Sequence, residues 1–309
     1  MGDHILVIGA MLLDTKGKPS AGLEPGTSNT AHIRHVRGGT ARNVAENLSR
    51  LGAEVFLISA VGDDYTGQQL ISQTKEAGVD TSFTLTSSDY HTGSYIALLA
   101  EDGSLSVALD DVRVMQDVTP GYLYQNRRLF RDASMIMIDG SLLPATLATV
   151  VRLASQFEVP LCADPSSTRL ARKLNPHLGD LHLIVPNEVE ASALAEVEFS
   201  GFNPDLSLET ALLLMRKGVH MVVITLSDYG LVYATSDETG YIPARYSQMV
   251  DSTGTGDAVT AAIIFGITNN LQAIESIRLG AAAASLTLQV EETVVPDLSL
   301  DMLYDHLTV

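Results

Sequence analysis

Short, continuously apolar runs recur along this chain, and amphipathic stretches of helical period separate them. Ile5-Leu6-Val7-Ile8-Gly9 does not alternate with polar residues, so it predicts a strand buried on both faces. Asp14 to Thr30 is rich in Gly, Pro, Ser and Thr and predicts a loop. From Thr40 to Leu51, Ala41, Val44, Ala45, Leu48 and Leu51 share one helical face, and Gly52 can end the helix. Val55 to Val61 predicts a second strand, and Tyr65 to Ala77 a second helix closed by Gly78. Two strand-forming runs follow, Thr92 to Leu99 and Ser104 to Leu109, with Glu101-Asp102-Gly103 between them as a hairpin turn. With Ala31 to Val36 they predict a small lid. The strand–helix rhythm resumes at Met135 to Ile138, Leu161 to Ala163, Leu183 to Val185 and Met221 to Thr225. Leu231 to Ala234 should return antiparallel, and Gly256 to Ile267 and Ala273 to Leu288 suit two closely packed, Ala-rich helices.

Strands alternating with helices at this spacing predict an α/β fold, a central, mainly parallel sheet flanked by helices. The expected organisation is one domain over residues 1–309, with a β-strand lid from about 14–36 and 90–111. Composition narrows the class further. The 309 residues are 46% hydrophobic and 18% charged, enough to bury a large core and too apolar for disorder. A net charge of −18 repels polyanions, so nucleic acid and anionic membrane surfaces are not expected partners. The lone Cys162 cannot form an internal disulfide, no apolar run reaches the roughly 20 residues that span a bilayer, and Met1-Gly2-Asp3-His4 lacks the basic start of a secretory signal. Neither does Leu6 suit a myristoylation signal. A cytoplasmic protein acting on a small molecule is the expectation.

The most informative stretch is Asp251-Ser252-Thr253-Gly254-Thr255-Gly256-Asp257, running into an Ala-rich helix. Gly254 and Gly256 let the backbone turn its N–H groups toward one point, and the helix start adds unpaired N–H groups and the positive dipole end. Such a turn suits a phosphate. Asp257 at the helix start either caps it or serves as a general base for an attacking hydroxyl. Gly38-Gly39-Thr40-Ala41-Arg42-Asn43 opens another helix, and Asp14 follows the first strand. Asp14 and Asn43 could hold a vicinal diol, or be a turn aspartate and an exposed amide. In Pro186-Asn187-Glu188-Val189-Glu190, a capping box explains Asn187 and Glu190 fully; both could also face phosphates, directly or through water on Mg²⁺. Thr225-Leu226-Ser227-Asp228-Tyr229-Gly230 is an ordinary turn that could border a nucleotide. There is no Gly-x-x-x-x-Gly-Lys-Ser/Thr, no Gly-x-Gly-x-x-Gly after the first strand, and no His-Glu-x-x-His or Cys-x-x-Cys, which disfavours a P-loop, a dinucleotide fold and a zinc site.

These clusters, with Val61-Gly62-Asp63-Asp64-Tyr65-Thr66-Gly67, resemble in kind and order the motifs of the PfkB/ribokinase family of sugar and nucleoside kinases. The resemblance runs the length of the chain and is most specific at Thr253 to Asp257. It implies a ribokinase-like fold and an ATP-dependent kinase, with Asp257 as catalytic base and Gly254, Thr255 and Gly256 as the anion hole. It assigns Asp14, Gly38, Gly39 and Asn43 to the sugar, Asn187, Thr225, Ser227 and Gly230 to ATP, and Glu190 to Mg²⁺ through water. Asp251 and Thr253 resemble the family's monovalent-cation loop, a candidate K⁺ site. Asp14-Thr15-Lys16-Gly17, Gly26-Thr27-Ser28-Asn29, Gly39 to Leu48 and Glu292 to Ser299 are most similar to the pseudouridine kinases. That likeness implies Lys16, Ser28 and Asn29 as substrate contacts, the last two at the uracil edge. Thr30-Ala31, Ser227 and Val295 depart from its usual residues. Other acceptors in the family are ribose, a ketose or a purine nucleoside, and a binding protein without catalysis is the rival of another class. Exposed lid strands often pair between subunits, so the lid is a candidate homodimer surface.

Overall fold

Alternation inside the apolar runs sorts their side chains onto two sides of one sheet. The structure, a computed structural model, describes residues 2–100, 105–198, 203–245 and 249–307. Its main sheet is built from β1 (His4–Ile8), β4 (Val55–Ile58), β9 (Ala133–Asp139), β10 (Leu161–Asp164), β11 (Leu183–Ile184), β12 (Met221–Thr225), β13 (Gly230–Ala234) and β14 (Thr239–Pro243). The spatial order is β14-β13-β12-β11-β10-β9-β1-β4, parallel from β12 through β4, with β13 and β14 antiparallel. Ile5 and Val7, Met135 and Met137, and Met221 and Val223 face one core. There they meet α1 (Thr40–Arg50), α9 (Thr255–Thr268) and α10 (Ala273–Thr287). Leu6 and Ile8, Ile136 and Ile138, and Val222 and Ile224 face the other, against α5 (Pro144–Phe157), α7 (Glu188–Ala195) and α8 (Pro204–Arg216). A sheet covered on both faces needs no polar side, which is why its strands read as unbroken apolar runs. No helix among the described residues is long and apolar enough to cross a membrane.

A second sheet, in the order β3-β2-β7-β8, stands apart from the first. It comprises β2 (Leu12–Pro19), β3 (Ala31–Gly38), β7 (Gly93–Leu99) and β8 (Leu105–Asp111). The expected loop over Asp14 to Thr30 is therefore corrected: its first third is strand, paired with β3 on one side and β7 on the other. Ladder hydrogen bonds on both edges override the weak local preference of Asp-Thr-Lys-Gly-Lys. The expected hairpin turn at Glu101-Asp102-Gly103 lies outside the described residues, but the strands that flank it are antiparallel. Residues opposite one another place Asp14, Tyr95 and Asp110 on one face, with Lys16, Arg34 and Ala97. The other face carries Ile33, Ile96, Val107 and Leu109, all exposed. The expected strand Val55 to Val61 breaks at Ser59, and β5 (Ala60–Gly62) pairs with β6 (Leu85–Ser87) instead.

Candidate active site

The turn before α9 is fixed by its glycines. Gly254 has φ 84°, and a Cβ there would meet the Thr293 carbonyl oxygen at 2.0 Å, so this position requires glycine. At Gly256 an added Cβ would meet nothing within 4 Å: the backbone fronts open space beside the first-turn amides of α9. That is a cradle for an anion with no side chain in the way. Asp257 follows in the same turn, deep in the protein yet partly open to the cleft. Its Oδ2 accepts a hydrogen bond from Asn43 Nδ2 at 2.5 Å. Asn43 is held in turn: its Oδ1 accepts from Arg42 Nη2 and from Thr293 Oγ1, the latter at 3.1 Å. Arg42 is fully buried and paired with Glu46 (Nη1–Oε2 2.5 Å). Burial pushes the Asp257 carboxyl up to about 6, against the lowering effects of Asn43 and Arg42.

Two cavities meet at this carboxylate. The larger, about 660 Å³, lies under the second sheet and is lined by Asp14, Lys16, Gly39, Asn43 and Tyr95, with Lys18, His32 and Asp110 toward its outer end. The smaller, about 310 Å³, is lined by Asn187, Glu190, Thr225, Ser227, Gly230 and Gly256. Thr40, Ser166, Ser252 and Asp257 belong to both. Of the sequence-predicted residues, Asp14, Lys16, Gly39 and Asn43 thus line one cavity and Asn187, Glu190, Thr225, Ser227 and Gly230 the other, with Asp257 between them. Gly38 backs the larger cavity, since a Cβ there would overlap the Asp14 carboxylate at 1.9 Å. Burial pushes Asp14 up to about 7, and its Oδ1 has no hydrogen-bond partner among the described residues. On the other side, the capping box is present: Asn187 Oδ1 accepts from the Glu190 N–H, and Glu190 Oε2 from the Asn187 N–H, each at 2.9 Å. The cap does not neutralise Glu190, whose carboxyl burial pushes up to about 7, with Asp257 adding to the rise.

The sequence profile of the pfkB family carbohydrate kinases matches residues 3–299. The chain belongs to this family. It is 31% identical to a pseudouridine kinase of Escherichia coli (strain K12), over 96% of this chain and 94% of that one. It is 29% identical to a guanosine-inosine kinase of Exiguobacterium acetylicum, covering 96% and 98%. The Arabidopsis thaliana ribokinase structure complexed with ribose and ATP superposes with a TM-score of 0.84 at 20% identity, covering 100% of each chain, which shows the ribokinase fold. As a pfkB kinase the protein is a phosphotransferase with an alcohol group as acceptor.

Within this pfkB kinase, several expected residues sit differently from their assigned roles. Ser28 and Asn29 line neither cavity. Asn29 folds back on its own loop, accepting from the Glu24 N–H at 2.8 Å and donating to the Glu24 and Thr27 carbonyls. Its amide is therefore taken up by closing the loop. Asn43 lines the larger cavity but also donates to Asp257. Asp251 and Thr253, the candidate K⁺ site, do not fit a metal ion here, because Lys16 Nζ occupies their side chains (2.6 Å to Asp251 Oδ2, 2.5 Å to Thr253 Oγ1). Sequence reasoning also missed two buried carboxylates at the carboxyl ends of adjacent strands, the register partners Asp139 and Asp164. Asp139 Oδ2 accepts from the Ala10 and Ala41 N–H groups, tying β1 and α1 to β9. Asp164 lines the smaller cavity and accepts from Thr260 Oγ1 at 2.9 Å. Burial drives its carboxyl well above the usual range, and the charges of Asp257 and Glu190 raise it further. Asp-Gly and Asp-Pro directly after apolar runs were the available signal, because open α/β sheets bind ligands at that end of their strands.

Proposed function

We propose that this kinase transfers the γ-phosphoryl group of ATP to the 5′-hydroxyl of pseudouridine. The observation that carries the reading is the position of Asp257, the carboxylate at the junction of an acceptor cavity and a nucleotide cavity, one residue beyond an open backbone cradle. In that arrangement the acceptor hydroxyl gives its proton to Asp257 as its oxygen forms the new bond to phosphorus, and the bond to the ADP oxygen breaks. Backbone N–H groups of the 254–256 turn would stabilise the charge spread over the migrating group in a loose transition state. Asn43 keeps the carboxylate pointed at the junction, and Asp14 accepts hydrogen bonds from sugar hydroxyls at its unpaired Oδ1. The second sheet acts as a lid over the acceptor, keeping out water that would otherwise take the phosphoryl group.

Asp164 and Glu190 fit Mg²⁺ carried in with the nucleotide: burial raises both carboxyls, Asp257 adds to each and Glu190 adds to Asp164, a concentration of negative charge that a dication would relieve. Bound there, Mg²⁺ would neutralise phosphate charge. Pseudouridine is favoured by the likeness to the Escherichia coli enzyme and by the size of the acceptor cavity, about 660 Å³, more than a free pentose fills. The exposed apolar face of Ile33, Ile96, Val107 and Leu109 supports a homodimer formed lid to lid. An acceptor panel with ATP and Mg²⁺, read by ADP release, tests the reading. Pseudouridine should give the highest kcat/KM; ribose or inosine surpassing it would replace the proposed acceptor, and no phosphorylation of any alcohol would overturn the proposed reaction.

A further inference from the structure

The loop that leads into the phosphate cradle is held by cations belonging to the protein. Lys16, on the inner face of β2, reaches across the cleft with its side chain only 8% exposed. Its ammonium lies 2.6 Å from Asp251 Oδ2 and 2.5 Å from Thr253 Oγ1. Arg34, its cross-strand neighbour on β3, places Nη2 2.5 Å from the same Asp251 oxygen and Nη1 2.8 Å from Glu291 Oε2. The Thr253 N–H donates to Asp251 Oδ1 at 2.9 Å, and Gly254 is the next residue. Both side chains that the family resemblance marks for a monovalent cation thus already hold a positive charge. A free ion would have to displace a tethered one and would meet repulsion from a guanidinium beside it. Burial alone would raise the Asp251 carboxyl, yet its bonds to Lys16 and Thr253 hold it below the usual range. The carboxylate is already compensated.

We infer that the Lys16 ammonium takes the place of a monovalent metal ion in this chain, setting the 251–254 loop without K⁺. The inference rests on the kinase reading for its rate measurements but not for its stability measurements. A covalently attached charge is present at full occupancy whatever the ionic composition, and it arrives only when β2 packs over the cleft. Lys16 is therefore a positioning residue, acting on the cradle through Asp251 and Thr253.

The test compares wild type with Lys16→Met in KCl and in tetramethylammonium chloride of equal ionic strength, by initial rate and by thermal melting with ADP bound. Wild type should show the same rate and Tm in both salts. Lys16→Met should lose rate in tetramethylammonium and regain at least about fivefold in K⁺, the range typical of coupling between sites, with a Tm that K⁺ raises. Stimulation of wild type by K⁺ of that size would overturn the inference without need of any variant. So would a Lys16→Met enzyme fully active in tetramethylammonium, or one that K⁺ neither activates nor stabilises. If no alcohol is phosphorylated at all, the kinase reading fails, while the melting arm still decides whether K⁺ finds a site only once Lys16 is removed.

Discussion

Replacing Asp257 by Asn should cost the enzyme its rate and make it more stable, and the two effects have separate physical origins. The aspartate ordinarily titrates near 3.8, and burial raises it to about 6 in the fold. Between those values the folded state binds a proton that the unfolded chain has released, so stability falls as pH rises through this window and levels off above about 6. With both states ionised, the penalty reaches at most about 3 kcal/mol, less what cleft water and the Asn43 hydrogen bond return. Asn carries no such penalty, keeps an oxygen for Asn43 Nδ2, and removes a charge that raises Asp164 and Glu190. At about pH 8, Asp257→Asn should therefore melt higher than wild type by up to roughly 6 °C, and the gap should close as the pH falls toward 4. Its kcat should drop by about 10²–10⁴, the usual contribution of a general base. Calorimetry across pH and steady-state ADP release read the two effects on one preparation. A variant with unchanged kcat would refute the assignment of the base; one that melts lower than wild type at every pH would refute the electrostatic argument and make Asp257 a structural cap.

Other outcomes follow from the same geometry. Gly254→Ala should lower Tm sharply, because its Cβ would overlap the Thr293 carbonyl at positive φ, whereas Gly256→Ala should melt like wild type and lose turnover, its methyl filling the cradle. Comparing the two melting curves with the two rates checks this. Asp14→Ala should lower kcat/KM for the acceptor roughly 100-fold, the loss of two hydrogen bonds to a charged group, with KM for ATP unchanged in initial-rate assays. Wild-type kcat/KM should fall toward acid, where Asp257, at about 6, takes up a proton and can no longer accept one; Asp14 and Glu190, both at about 7, shape the same limb of the measured profile. Glu46→Ala removes the carboxylate paired with the fully buried Arg42 and should cost about 3–5 kcal/mol, read as a lower urea midpoint.

Where a position is set by local chemistry, the sequence made it legible. Unbroken apolar runs identified seven of the eight main-sheet strands, since burial on both faces leaves no polar alternative; β14, with only Ile242 buried, carried no such mark. The phosphate turn was visible because glycine has no substitute at Gly254. Long-range contact was not visible. Nothing in Asp14-Thr15-Lys16 announces that Lys16 will bind a carboxylate 235 residues away, or that pairing with β3 and β7 will make this segment a strand. Ser28 and Asn29 are implied by the family likeness, but the loop's own closure takes up the Asn29 amide. Asp139 and Asp164 went unnoticed just past two apolar runs, and only the register of β9 with β10 shows them as neighbouring buried carboxylates.

Among the described residues, only Thr40, Ser166, Ser252 and Asp257 are shared between the two chambers. The strands of the second sheet line the larger chamber and contribute none of the described residues that line the smaller one. On the proposed reading, exchanging the segments that carry β2–β3 and β7–β8 should change the preferred acceptor and leave the lining of the smaller chamber intact. A lineage can diversify its substrates by editing the roof and inheriting the floor, provided each new roof still supplies a positive charge to Asp251.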